Sequence, residues 1–153
     1  MGDFRGFPLF SRPIVERFSE IVAPLADFYP IELNVLEYRE ERESNIDPHI
    51  DDEWLWGERI AGLNLLSPTV MTFSRRLGAE LVEVDLPIPV NALYVMEGPA
   101  RHDFMHGIKP EHIHGRRLVC TFRELTKQIE MEMPDFSKEL RERASVYLDL
   151  SEN

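Results

Sequence analysis

Cysteine is almost missing from this chain: Cys120 is the single one in 153 residues. No intrachain disulfide can form and no zinc site can be built on paired thiolates, so any metal chemistry must use histidine and carboxylate side chains. Long apolar runs are missing too; none approaches the ~20 residues of a membrane-crossing helix. The opening residues Met1-Gly2-Asp3-Phe4-Arg5-Gly6 lack a basic stretch followed by an apolar one, so they are not expected to direct secretion, and a cytoplasmic or nuclear location is the expectation. Basic residues are scarce. Seventeen Lys and Arg stand against 28 Asp and Glu, a net charge of −11. So acidic a chain repels phosphate backbones as a whole, which weighs against a general nucleic-acid-binding module while leaving room for a local basic groove. There is no internal repeat, Gly/Ser linker or low-complexity tract, and the length is that of a single domain, 1–153.

What is present is a helix, a series of short strands and a second helix. Ser11 as cap, Pro13 in the first turn, and Ile14, Val15, Phe18, Ile21 and Val22 at helical spacing predict a packing helix that stops at Pro24. From Ile31 the pattern shifts to short runs broken by Pro, Gly and Asn, with strands expected at 31–38, 47–51, 59–66, 69–74, 81–86, 91–96 and 116–123. This is the pattern of a mainly β sandwich or barrel with flanking helices. Val82, Val84, Leu86 and Ile88 alternate with Glu83 and Asp85, which predicts a half-buried strand with an acidic outer face. Pro134 to Leu148 returns to helical spacing, with Asp135 a candidate cap and Phe136, Leu140, Ala144 and Tyr147 on one stripe. Such a helix can cover an open face of the β core.

Two patterns carry chemistry. In His49-Ile50-Asp51 an extended backbone sends residues two apart to the same face, so imidazole and carboxylate can share a metal ion; the alternative is a polar strand end. A third ligand would have to come from His102, His106, His112 or His114, the remaining histidines. In Arg117-Leu118-Val119-Cys120-Thr121-Phe122-Arg123 the even spacing puts Arg117, Thr121 and Arg123 on one side and Leu118, Cys120 and Phe122 on the other. If the cationic side faces a barrel interior, the two guanidinium groups need partners, and a dicarboxylate ligand would supply them; an ordinary surface strand paired to Asp or Glu is the alternative. Cys120, facing away from the arginines, is expected to be a packing thiol, and Asn64, between Leu63, Leu65 and Leu66, a hydrogen-bonded interior amide.

His-x-Asp early, a histidine tens of residues later and Arg-x5-Arg at the end make the layout of an iron(II) and 2-oxoglutarate dioxygenase. The strings His49-Ile50-Asp51-Asp52-Glu53-Trp54-Leu55-Trp56-Gly57-Glu58-Arg59, Leu63-Asn64-Leu65-Leu66-Ser67-Pro68-Thr69, Arg101-His102-Asp103-Phe104-Met105-His106-Gly107-Ile108 and Thr121-Phe122-Arg123-Glu124-Leu125 resemble the AlkB family, and within it an animal subgroup. The resemblance runs from about Phe4 to the C-terminal helix. It implies a double-stranded β-helix, or jelly roll, with His49, Asp51 and His106 as Fe(II) ligands and Arg117 and Arg123 holding 2-oxoglutarate, Arg117 at the far carboxylate and Arg123 near the metal-bound end. His106 precedes Gly107-Ile108 as the family's metal histidine does, whereas its rival His102 is assigned to the approach strand, and His112 and His114 to loops. Tyr38 lies where the family places a tyrosine that hydrogen-bonds the co-substrate, although Leu36 stands where members usually carry Asn.

The implied activity is oxidative demethylation of N-methyl groups, releasing formaldehyde, succinate and CO2. The substrate classes are a methylated protein such as methyl-lysine on actin, or N6-methyladenine in nucleic acid. The resemblance also creates the expectation that the family's N-terminal lid and cysteine-rich segment are lacking, and with it the alternative of a catalytically silent jelly-roll interaction module. Trp54 and Trp56, just after the metal strand, either stack on a flipped base or methylated cation or plug the barrel end.

Overall fold

The computed structural model describes residues 4–21 and 23–149. In chain order the elements are β1 (Phe7–Pro8), α1 (Arg12–Glu16), α2 (Phe18–Ile21), β2 (Glu32–Arg39), β3 (Ile46–His49), β4 (Trp56–Leu65), β5 (Thr69–Leu77), β6 (Glu80–Ile88), β7 (Leu93–Met96), α3 (Gly98–His102), β8 (Met105–Ile108), β9 (Arg116–Leu125), α4 (Lys127–Glu132), α5 (Pro134–Ala144) and β10 (Tyr147–Leu148). Strands β2-β9-β4-β7 form one antiparallel sheet and β3-β8-β5-β6 a second, while β1 and β10 pair in parallel beside them. From β6 onward the chain passes between the two sheets at every strand, β6 to β7 to β8 to β9, the winding of a double-stranded β-helix.

Strand parity divides the core. Cys120 and Phe122 lie on the outer face of the first sheet beside Ala61 of β4, where Phe18, Leu25 and Phe28 cover them. Phe18 stands edge-on to Phe122, with ring centroids 5.1 Å apart. On the opposite face, Tyr38 and Val119 meet Ile108 and Ile113 between the sheets. At one end, α4 and α5 close the barrel through Ile129, Leu140 and Ala144, packed on Phe7, Ile31 and Leu125.

Several expectations change. The first helix is two short pieces that break at Arg17, and Val22 lies outside the described residues. Ser11 does not cap it, because its hydroxyl donates backward to the Pro8 carbonyl at 2.8 Å. A helix this short is marginal by itself, and docking Phe18 on Phe122 decides its course. The alternating strand β6 is not half-buried: Val84 is 53% exposed and Leu86 46%. It is the outer strand of its sheet, so among the described residues the apolar row beside Phe73 and Met71 has no further strand against it.

At the C-terminus α5 ends at Ala144, and Tyr147 belongs to β10 because the Phe7 amide donates to the Val146 carbonyl at 2.9 Å and draws the chain into an extended pair. Asp135 sits in the first turn with Met133 at the cap position, and the stripe of Phe136, Leu140 and Ala144 still faces the core. His102 ends a helix, α3, instead of lying on an approach strand.

Candidate active site

The two sheets converge on a cavity lined from one side by Tyr38, Tyr94, Arg117, Thr121 and Arg123, and from the other by His49, Asp51, Met71 and His106. His49 and His106 are cross-strand partners on β3 and β8, with ring centroids 4.4 Å apart. The β3 strand ends at His49, so Asp51 reaches the same point from the following loop and not from an extended strand. Asp51 Oδ2 lies 3.4 Å from His106 Nε2, and one donor atom from each of the three residues falls within 4.8 Å of the others. Two imidazole nitrogens and one carboxylate oxygen are the donor set of a facial iron site.

The donors are prepared for a cation. His49 Nδ1–H donates to the Asp47 carbonyl at 2.9 Å, which leaves Nε2 as the lone-pair nitrogen. Burial, and then His49, hold the His106 imidazole below its ordinary pKa, so it is neutral and able to ligate. Asp51 Oδ1 takes a 2.8 Å ion pair from Arg123, which turns Oδ2 toward His106. Arg123 also pairs with Glu32 at 2.7 Å, so both of its terminal nitrogens meet carboxylates, and it lies 5.5 Å from the Trp56 ring centroid.

Arg117 contrasts with Arg123. It is 1% exposed, its Nε donates to Asn64 Oδ1 at 2.6 Å, and both terminal nitrogens are buried without a hydrogen-bond partner among the described residues. Asn64 is fully buried and its Nδ2 donates to the carbonyls of Ser67 and Pro89 at 2.9 and 2.8 Å, so its amide has one orientation and offers Oδ1 to the arginine. Tyr38 pairs with Arg117 in register, and the guanidinium stands 4.9 Å from its ring centroid. Burial pushes the phenols of Tyr38 and Tyr94 up in pKa, so both remain protonated donors near that cation.

Tyr94 escaped the sequence reading, because Leu93-Tyr94-Val95-Met96 is a run without alternation that does not tell which side faces inward. Its ring lies over Gly62, its partner on β4, where any Cβ would overlap it. Gly62→Ala should therefore push Tyr94 away from Arg117 and lower stability by about 1–3 kcal/mol. Denaturant unfolding together with a 2-oxoglutarate titration checks this.

The other candidates separate from the triad. His102 sits between Glu53 and Glu58 at 2.7 and 2.9 Å, so both ring nitrogens are engaged by carboxylates away from the triad, and those hydrogen bonds raise its pKa. His102→Ala is expected to keep metal binding at the triad while His106→Ala loses it, as Co(II) titration of both variants would read. His112 closes a short turn with Nδ1 3.2 Å from the Val70 carbonyl, and His114 lies in the loop beyond. Trp54 is 54% exposed and does not plug the barrel, whereas Trp56 packs beneath Arg123 and against the end core. Cys120 is buried on the far side of β9, its thiol pushed up in pKa by burial.

Two wound antiparallel sheets with two histidines, one carboxylate and an unsatisfied arginine facing a common cavity define a double-stranded β-helix of the iron and 2-oxo-acid type. The human α-ketoglutarate-dependent dioxygenase alkB homolog 4 is 40% identical over 153 residues, 82% of this chain and 50% of that protein. A DNA N6-methyl adenine demethylase of Caenorhabditis elegans is 37% identical over 125 residues, 81% of this chain and 42% of that protein. The solved structure of OsALKBH1 shares the fold with a TM-score of 0.51 at 13% identity, covering 74% of this chain and 65% of that one. No family model matches the chain. The chain belongs to the AlkB family, and it spans about half the length of its human and mouse relatives.

Proposed function

We propose that the chain is an Fe(II)- and 2-oxoglutarate-dependent dioxygenase that oxidatively demethylates N-methyl groups. The observation that carries this reading is Arg117: a buried guanidinium with two unpartnered nitrogens, facing the cavity that also holds the His49, Asp51 and His106 donors. An unpaired buried cation is costly, and a dicarboxylate that also reaches the triad answers that cost. His49, Asp51 and His106 would hold the iron, with Arg117 on the far carboxylate of 2-oxoglutarate and Tyr38 and Tyr94 donating beside it. Arg123 would keep the Asp51 carboxylate aimed through its 2.8 Å ion pair. The chemistry that iron and the oxo acid supply when bound is transfer of one atom of dioxygen to the methyl carbon, the other remaining in succinate as CO2 leaves. The resulting N–CH2OH group splits into N–H and formaldehyde.

Two substrate classes are consistent with the reading. A relative named as a DNA N6-methyl adenine demethylase supports methylated nucleic acid, and a net charge of −11 supports a methylated protein, such as methyl-lysine on actin. The test is succinate formation from 2-oxoglutarate by the iron-loaded chain under air, with methyl-lysine peptides in one arm and N6-methyladenine oligonucleotides in the other. Stimulation by one arm, with stoichiometric formaldehyde, is expected and selects the class. A steep fall with added salt would mark the nucleic acid, because phosphate contacts release counterions. Iron and 2-oxoglutarate bound without any turnover would instead favour a silent interaction module.

A further inference from the structure

His49 and His106 are fixed by strand pairing, but Asp51 is not in a strand, and its loop is held by side chains together with main-chain bonds from the Trp56 amide to the Asp52 carbonyl and from the Thr126 amide to the Leu55 carbonyl. Within that loop Asp52 Oδ1 accepts from the amides of Trp54 and Leu55 at 2.9 and 2.7 Å. The second anchor comes from α3. Arg101 is fully buried, and among the described residues it forms no ion pair with a carboxylate. One terminal nitrogen donates to the Asp51 carbonyl at 3.0 Å, and the other to the carbonyls of Asp52 and Trp56 at 3.0 and 3.2 Å. Two of the three acceptors lie in the loop that leaves His49, and the third belongs to Trp56, the first residue of β4, where that loop returns.

Burying a guanidinium on carbonyls alone is a costly way to fill a core, and an apolar side chain would fill the space with less penalty. Its position suggests what the arrangement does. Arg101 is five residues before His106, on the short segment leading into β8, so its hydrogen bonds join the loop that carries Asp51 to the segment that carries His106.

We propose that Arg101 is a positioning residue: by clamping the carbonyls of Asp51, Asp52 and Trp56 it holds the Asp51 carboxylate at the two imidazoles and so sets the metal affinity of the triad, an inference that rests on the metal-binding reading above. The clamp acts on the main chain, while Arg123 acts on the Asp51 carboxylate itself. Loss of a group that orients a ligand typically weakens metal binding by about 10- to 100-fold.

The experiment titrates the full metal-free chain with Co(II), read by its visible absorption, and records thermal unfolding without metal. The variants are Arg101→Gln, Arg101→Lys and, as a stability control on the outer face of the first sheet, Leu25→Ala. Arg101→Gln is expected to bind Co(II) about tenfold or more weakly. Arg101→Lys should recover part of that loss, since one ammonium reaches fewer carbonyls. Leu25→Ala should unfold at lower temperature yet bind Co(II) within about twofold of the unsubstituted chain. Unchanged affinity in Arg101→Gln, or an equal loss in Leu25→Ala, would reduce Arg101 to packing and overturn the inference. Should Arg101→Gln fail to fold, Arg101→Lys decides: weaker Co(II) binding supports the clamp and unchanged binding overturns it. An unsubstituted chain that binds no Co(II) refutes the metal reading and the clamp together. Co(II) bound by the unsubstituted chain, lost in Asp51→Ala and retained in Arg101→Gln, refutes the clamp alone.

Discussion

Replacing Asp51 by asparagine is expected to remove Fe(II) binding, a loss on the order of a hundredfold or more, and all turnover with it, while the fold persists. The reason lies in how the three donors are charged. His49 is tied through Nδ1 to the Asp47 carbonyl, and His106 is buried and neutral, so the carboxylate supplies the only negative charge in the triad. An amide has the same shape and can still accept from Arg123, but it cannot neutralise a divalent cation, and a carbonyl oxygen is a poorer iron ligand than a carboxylate. Asparagine is the sharper test than alanine, because Asp51→Ala also takes one partner from Arg123. Among the described carboxylates the arginine then keeps Glu32 alone, and part of the stability loss would belong to that broken pair, not to the metal site. Fe(II) or Co(II) titration beside thermal unfolding separates the two. Undiminished metal affinity in Asp51→Asn would move the metal site away from this triad.

The parts of this arrangement that could be read in the sequence are those written in strand parity. The even offset of six from Arg117 to Arg123 forces both guanidinium groups to one side of β9 and Cys120 and Phe122 to the other, and the structure divides the strand accordingly. His49-Ile50-Asp51 was visible for a related reason, although the chain leaves the strand after His49 and a loop delivers Asp51. What parity could not show is whatever depends on a distant main chain. Strand β8 is only Met105-His106-Gly107-Ile108, too short to alternate, and it needs Gly107 because a Cβ there would stand 2.8 Å from the Ile46 carbonyl oxygen. Tyr94 gains its place from Gly62, a residue 32 positions earlier on another strand. Arg101 was invisible as a functional residue because its partners are carbonyls, which every residue carries and no composition records. The exposed row of β6 teaches the converse: alternation predicts which side chains share a face, but not whether another layer covers them.

Replacing Arg117 should raise the 2-oxoglutarate requirement about 10- to 100-fold, the equivalent of the roughly 2–3 kcal/mol carried by a charge-assisted pair in a buried site. Alanine and methionine both test this, and methionine adds a second, opposite expectation. Among the described residues the Arg117 guanidinium is buried with two nitrogens unpartnered, and burial lowers its pKa while the neighbouring phenols offer only neutral oxygens. A cation in that position is a cost to the folded chain. Arg117→Met removes that cost and fills much of the same volume, so the ligand-free variant should be as stable as the unsubstituted chain or more stable. Adding 2-oxoglutarate should then reverse the order, because a ligand that binds only the folded state stabilises by mass action, about 2.7 kcal/mol at a hundred times its dissociation constant. The unsubstituted chain would gain that increment and Arg117→Met would not, at the same concentration. Thermal unfolding of both forms, with iron and with or without 2-oxoglutarate, reads the crossing directly. If instead Arg117→Met destabilises the ligand-free chain and leaves the 2-oxoglutarate response intact, then Arg117 serves the core through Asn64 and the dicarboxylate binds elsewhere. The crossing is expected because the hydrogen bond from Nε to Asn64 accounts for one donor group of that guanidinium, and the two left over are the ones aimed into the cavity beside the triad.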